Sequence, residues 1–143
     1  MLRSWHCGNG GNGGEAGRRI PGGRKAMYNW SVENNCCIVG FSTRQDFQKQ
    51  SRWKHQVKPF ICNAQEGDTM YIHCSHLETS RSVSHYGIYT GECRRAEFIC
   101  GLEVEEPIWV ICVDRWIPLN TPFQGAGIQK TLYEVTGREN YTH

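Results

Sequence analysis

Four consecutive residues, His73, Cys74, Ser75 and His76, bring two imidazoles, a thiol and a hydroxyl to one point of a 143-residue chain. Side chains of these types support three chemistries. A thiol beside an imidazole is a nucleophile with its base; imidazoles and a thiolate, with His85 as a fourth group, make a zinc ligand set; hydroxyls, thiol and imidazole can line a pocket that reads the polar edge of a ligand. Strand geometry weakens the first, because neighbours along a strand point to opposite faces. Cys74 and His76 do share a face, but they lack a third group to orient them. The second fares little better, since only three of the four groups could converge without distorting the backbone. No catalytic residue, metal or cofactor is assigned.

A second constellation surrounds Trp53. Arg44, Lys49, Arg52, Lys54 and Lys58 face only Asp46 in this stretch, which also carries His55. Either this is a solvated helix end with Trp53 in the core, or the indole offers a stacking face while the cations hold phosphate.

Elements must position these groups. Gly67-Asp68 reads as a turn, and Met70, Ile72 and Cys74 then alternate with Tyr71 and His73, the period of a strand with one buried face. A polar loop leads to a second strand over 84–90, so the two form a hairpin. Upstream, Tyr28, Trp30 and Val32 alternate with polar residues and predict a first strand, broken by Asn34-Asn35. The run 36–41 is apolar but ambiguous, and Ser42 or Thr43 can cap a helix reaching about residue 50. Residues 92–106 predict a connection of low regularity with a short strand at 98–100. The run 108–117 is the strongest strand signal, stopped by Pro118, with a turn-rich loop at 122–127 and a last packing segment at 129–135. Five or six short strands with one or two short helices and no βαβ alternation predict an α+β, mainly β fold built on a curved mixed sheet or small barrel.

Residues 1–26 hold eight of the sixteen glycines and show no apolar period, so this basic segment is expected to be disordered, with Met27 a candidate natural start and 27–143 the single domain. The tail carries a charge of +4 (five cations, one anion), and the remaining 117 residues carry −2 (eleven against thirteen). A folded part that is slightly acidic disfavours nonspecific nucleic-acid binding, so any contact must use a local patch. Eight cysteines without a CxxC pair predict thiols, not disulfides. No apolar run approaches the roughly 18 residues of a membrane span, and no signal-like apolar segment opens the chain. An intracellular, non-membrane protein is expected.

Tyr28-Asn29-Trp30, Trp53-Lys54-His55, Gly67-Asp68 before Met70-Tyr71-Ile72-His73, Tyr86-Gly87-Ile88 and Trp116-Ile117-Pro118-Leu119 occur in an order that resembles the EVE domain, a relative of YTH domains in the PUA-like superfamily. The likeness runs from about Tyr28 to Tyr141. It implies a pseudobarrel that binds DNA or RNA and holds one flipped base, plain or modified, in an aromatic-lined pocket, without catalysis. Carried onto this chain, the base pocket comprises Ser31, Val32, Trp53, His55, Cys74, Ser75 and His76, and the phosphate contacts are Arg52, Lys54 and Lys58. The Gly-Val-Arg-Asn segment often found after the Trp in EVE domains is absent. A small hydrolase similar to ASCH domains is the alternative, although the Lys and Glu motif of those domains has no clean match; a protein-interaction module is a further one.

Overall fold

The computed structural model describes residues 2–7, 21–42, 54–74, 82–124 and 132–135. Nine elements follow in chain order: β1 (Ser4–Cys7), α1 (Gly23–Glu33), β2 (Cys36–Ser42), α2 (Lys54–Asn63), β3 (Thr69–Cys74), β4 (Ser82–Ile99), β5 (Leu102–Val113), β6 (Ile117–Gln124) and β7 (Leu132–Glu134). The strands run in the order β2-β5-β4-β3-β1-β7, with β6 branching from β4. β1 lies parallel to β3 and every other pairing is antiparallel. The result is a mixed, open sheet with two short helices, the mainly β class that the pattern implied.

β4 organises the sheet because it is long enough to serve two sets of partners. Its first half pairs with β3 and β6, and its second half with β5. Cys100 and Gly101 join β4 to β5 in a two-residue turn, both with positive φ (56° and 76°). That is the backbone whose twist matches the flanking strands. Residues 92–106 are therefore the middle of a hairpin, whose register shifts between Tyr89 and Cys93 and again between Ala96 and Phe98. The acidic side chains read as signs of irregularity are a strand's solvent face, and Glu97 and Glu103 are exposed. Arg95, directly opposite Trp109, stacks 5.4 Å above its ring.

Three further expectations are overturned. Residues 4–7 are not disordered: β1 lies between β3 and β7, and Trp5 is completely buried. Its glycine-rich successor hid a four-residue strand whose alternation is too short to detect. Met27 as a start would remove that strand and the first turn of α1. Residues 28–32 are helical; the good helix formers Arg24, Lys25, Ala26 and Met27 precede the aromatic run, and a window opening at Tyr28 misses them. Asn34-Asn35 does terminate the element, as a helix end: Asn34 N donates to the Trp30 carbonyl and Asn35 takes φ 53°. Finally, Pro118 and Pro122 lie within β6, which among the described residues pairs with β4 alone, so a missing N–H is tolerated there. The helix expected over 42–50 falls outside the described residues after Ser42.

Two apolar clusters hold the layers together. Trp5, Tyr28, Phe60, Met70, Ile72, Tyr89, Ile111 and Trp116 join both helices to one face of the sheet. Met27, Cys36, Ile38, Ala96, Ile99 and Val110 seal α1 against β2, β4 and β5. A smaller cluster, Tyr71, Val83 and Leu119, covers the other face. Gly87 lets the 113–116 turn close down, since a Cβ there would sit 2.8 Å from the Arg115 carbonyl oxygen.

Candidate functional site

Polar side chains converge at two places on this sheet, and their surroundings differ. The first is Asp68, fully buried at the start of β3. Its Oδ1 accepts a hydrogen bond from Arg3 N (3.0 Å), and its Oδ2 accepts from Trp5 Nε1 (2.9 Å) and Gln65 N (3.0 Å). Three protein donors occupy both oxygens, so the carboxylate anchors β1 beside β3 and has no role toward a ligand. It does more than the turn chemistry expected of it.

The second place is a break in the β4 pairing. Ile72 lies opposite His85 and His73 opposite Val83, so Ser84 is the extra residue of a bulge; the pairing with β6 shifts between the same two residues. Val83 and Tyr86 both join the small cluster on one face. Ser84 and His85, between them, are thereby turned together toward the other face, where α1 lies. Tyr28 of α1 meets them: its hydroxyl is 2.6 Å from Ser84 Oγ and 3.2 Å from His85 Nδ1. The Ser84 and His85 atoms are themselves 2.8 Å apart, and Ser84 Oγ reaches the Ile72 carbonyl at 3.5 Å. A period of two would have separated Ser84 from His85. The bulge is what makes them neighbours.

One helical turn beyond Tyr28, Ser31 sits on the same side of α1. Its hydroxyl is fully buried and has no hydrogen-bond partner among the described residues. Burying such a group unpaired costs roughly 1–3 kcal/mol, and a site that supplies its missing partner recovers that cost. Val32, next along, packs against the main cluster half-buried. His85 is half-buried too, and desolvation pushes its pKa below the ordinary value, so the imidazole is neutral at neutral pH.

Of the residues expected to form a pocket, Ser31 and Val32 are therefore together, on a helix and not on a strand. Cys74 closes β3 opposite Ser82; its side chain, like those of Lys54, His55 and Lys58 in α2, lies outside the described residues. Arg52, Trp53, Ser75 and His76 lie outside them altogether, as does the convergence of His73, Cys74 and His76 invoked for zinc. Tyr28 and Ser84 escaped the sequence reading, which placed both on regular strands. One signal was available: the step from Val83 to Tyr86 on a single face is three residues, not two, which marks a bulge.

The described cysteines, all except Cys74, are free thiols. Burial pushes Cys36 up to about 12 and also raises Cys93, Cys100 and Cys112. Thiols held protonated in this way are packing groups and poor nucleophiles. No helix among the described residues is long and apolar enough to cross a membrane. No protein-family model, curated protein or solved structure matches the chain.

Proposed function

We propose that this domain is a non-catalytic reader of nucleic acid that seats a single unstacked base, plain or modified, against the α1 face and the β4 bulge. The supporting observation is the Tyr28–Ser84–His85 triangle, with the buried Ser31 hydroxyl, one turn along α1, lacking a partner among the described residues. A base is a flat ring with an apolar face and a polar edge, and it matches a few convergent donors and acceptors set in apolar walls. In this reading Ser31, Ser84 and His85 meet the edge; the resemblance to EVE domains implies that Trp53 stacks on the ring and that Arg52, Lys54 and Lys58 hold the backbone. The compartment is intracellular, in keeping with the free thiols.

The hydrolase alternative draws on one contact, the 2.8 Å approach of Ser84 Oγ to His85 Nδ1, a nucleophile-to-base distance. Tyr28 holds the same Oγ at 2.6 Å and Ser84 is only 8% exposed. An oxygen enclosed in this way suits binding better than attack on a substrate.

The test is titration of the full chain with labelled single-stranded and duplex oligonucleotides, carrying plain and methylated or hydroxymethylated bases, followed by fluorescence anisotropy. Selective binding that weakens at least about tenfold, or about 1.4 kcal/mol, in both Trp53→Ala and Ser31→Ala supports the reading. Variants that fold and bind as the parent does would sink the pocket assignment. Product formed from any oligonucleotide, and lost in Ser84→Ala, favours the hydrolase.

A further inference from the structure

We propose that Cys36 and Cys112 are a redox modification site: a peroxide closes them into a cross-strand disulfide that locks the strand β2 to β5 where α1 ends. The bond is independent of the base-reading proposal and needs no ligand.

Cys36 and Cys112 lie directly opposite each other in the β2–β5 ladder. Antiparallel partners alternate between those that exchange backbone hydrogen bonds and those that do not, and partners of the second kind bring their Cα atoms to about 4.5 Å. Three hydrogen bonds assign this pair to the second kind. Val113 N donates to the Asn35 carbonyl at 3.0 Å, so the bonded rung is the neighbouring one. The Cys36 carbonyl accepts instead from Trp116 Nε1 (3.0 Å), and the Cys112 carbonyl from Thr90 Oγ1 of β4 (3.3 Å), so both point away from the rung they share. A disulfide spans Cα separations of about 4.4–6.8 Å. The bond therefore fits this backbone.

The two side chains also share a face, since Cys36 belongs to the cluster of Met27, Ile38 and Val110 and Cys112 packs against it. No other two cysteines stand opposite each other among the described strands. Cys37 and Cys93 are both opposite Ile111, one on each side of β5, and Cys7 is opposite Ile72 and Leu132.

The thiols differ in reach. Cys36 is completely buried, whereas Cys112 is partly exposed, and although burial raises its pKa, the Arg94 guanidinium beside it opposes the rise. Cys112 is the thiol that hydrogen peroxide meets first. Its sulfur takes one peroxide oxygen as the O–O bond breaks, giving a sulfenic acid and one water. The Cys36 sulfur then displaces the sulfenic hydroxyl, its proton leaves with that hydroxyl as a second water, and the S–S bond forms. Two thiols lose two electrons and the peroxide gains them. Protonated thiols make both steps slow, so the pair stays reduced until oxidant is sustained. Cys36 opens β2 directly after the Asn34-Asn35 end of α1, so the bond fixes the end of the helix that carries Tyr28 and Ser31.

The test treats the full chain, freed of reductant, with hydrogen peroxide in native buffer, alkylates the remaining thiols and maps tryptic peptides by mass spectrometry. A dithiothreitol-sensitive crosslink between peptides 26–44 and 96–115 is expected. It should persist in Cys37→Ala and Cys100→Ala, the other cysteines of those peptides, and vanish in Cys36→Ala and Cys112→Ser; should the buried Cys36→Ala fail to fold, Cys112→Ser decides. The oxidised parent should melt about 10 °C above the reduced one, a gain absent in Cys112→Ser. A parent without the crosslink, or a crosslink that survives in Cys112→Ser, overturns the site. A crosslink without a rise in melting temperature overturns the lock.

Discussion

The Asp68 cluster and the Ser84 cluster lie on the same sheet, one at each end of the short β3 strand, and they divide polar chemistry between stability and function. At Asp68 every carboxylate oxygen is taken by protein donors and the residue is sealed. At Ser84 the internal bonds are equally short, yet the imidazole stays half-buried and a neighbouring hydroxyl has no partner among the described residues. A saturated polar cluster has nothing left to offer a ligand. A polar cluster with capacity to spare is where binding is to be sought, and the same side-chain types can serve either end.

The sharpest way to break this contrast is to remove β1. A 27–143 fragment loses Trp5 and Cys7 from the core and the Arg3 and Trp5 donors to Asp68, and it is expected to lose its cooperative thermal transition. Deleting the buried Trp5 side chain alone is worth about 3–5 kcal/mol, a large share of a domain's total stability. A fragment that melts cooperatively near the parent's temperature contradicts the role given to β1. Asp68→Ala comes next: three donors are stranded, one of them in the β1 strand it anchors and one just before it, and urea denaturation should show a loss on the order of 3 kcal/mol. Gly87→Ala, which drives a methyl against the Arg115 carbonyl and Trp116, should cost about 1–3 kcal/mol by the same measurement.

Smaller effects sharpen the contrast. His85 has a folded pKa below its ordinary value of 6.5 because of burial. Protonation is therefore easier in the unfolded chain, and the stability that the neutral ring contributes is complete above pH 6.5 and falls as the pH drops from there toward the folded value. Thermal melts of the parent should show that slope, and His85→Phe should flatten it. A parent whose stability is level across this range refutes a desolvated His85. At the bottom of the scale lies the Arg3–Glu134 pair, 2.7 Å apart but substantially exposed, which ties β1 to β7. Glu134→Gln should change stability by no more than about 1 kcal/mol, and a loss as large as that of Asp68→Ala would erase the distinction between a sealed polar anchor and a surface one.

The sequence by itself determined much of the central architecture. The alternation of Met70, Ile72 and Cys74 after Gly67-Asp68 gave β3 and its hairpin with β4, and the run at 108–117 gave the second half of β5, which ends at Val113 and not at Ile117, because a strand buried on one or both faces prints its period on the chain. It also gave a break at Asn34-Asn35, expected as the end of a strand and found as the end of a helix, and the free thiols. The tertiary structure decided what local pattern does not carry. Four residues at Ser4–Cys7 are too few to show a period, and only the docking of Trp5 onto Asp68 makes them a strand. Tyr28, Trp30 and Val32 alternate like a strand but fold as a helix, since the helix formers that precede them extend the segment and its apolar residues pack on one face of the sheet. The site followed the same rule. Ser31 and Val32 were expected in a pocket at the end of a strand and lie instead on α1; the meeting of Tyr28 with Ser84 and His85 depends on a bulge in β4 and on α1 lying across it, and a side chain's neighbours across the fold are set by packing and not by its position along the chain.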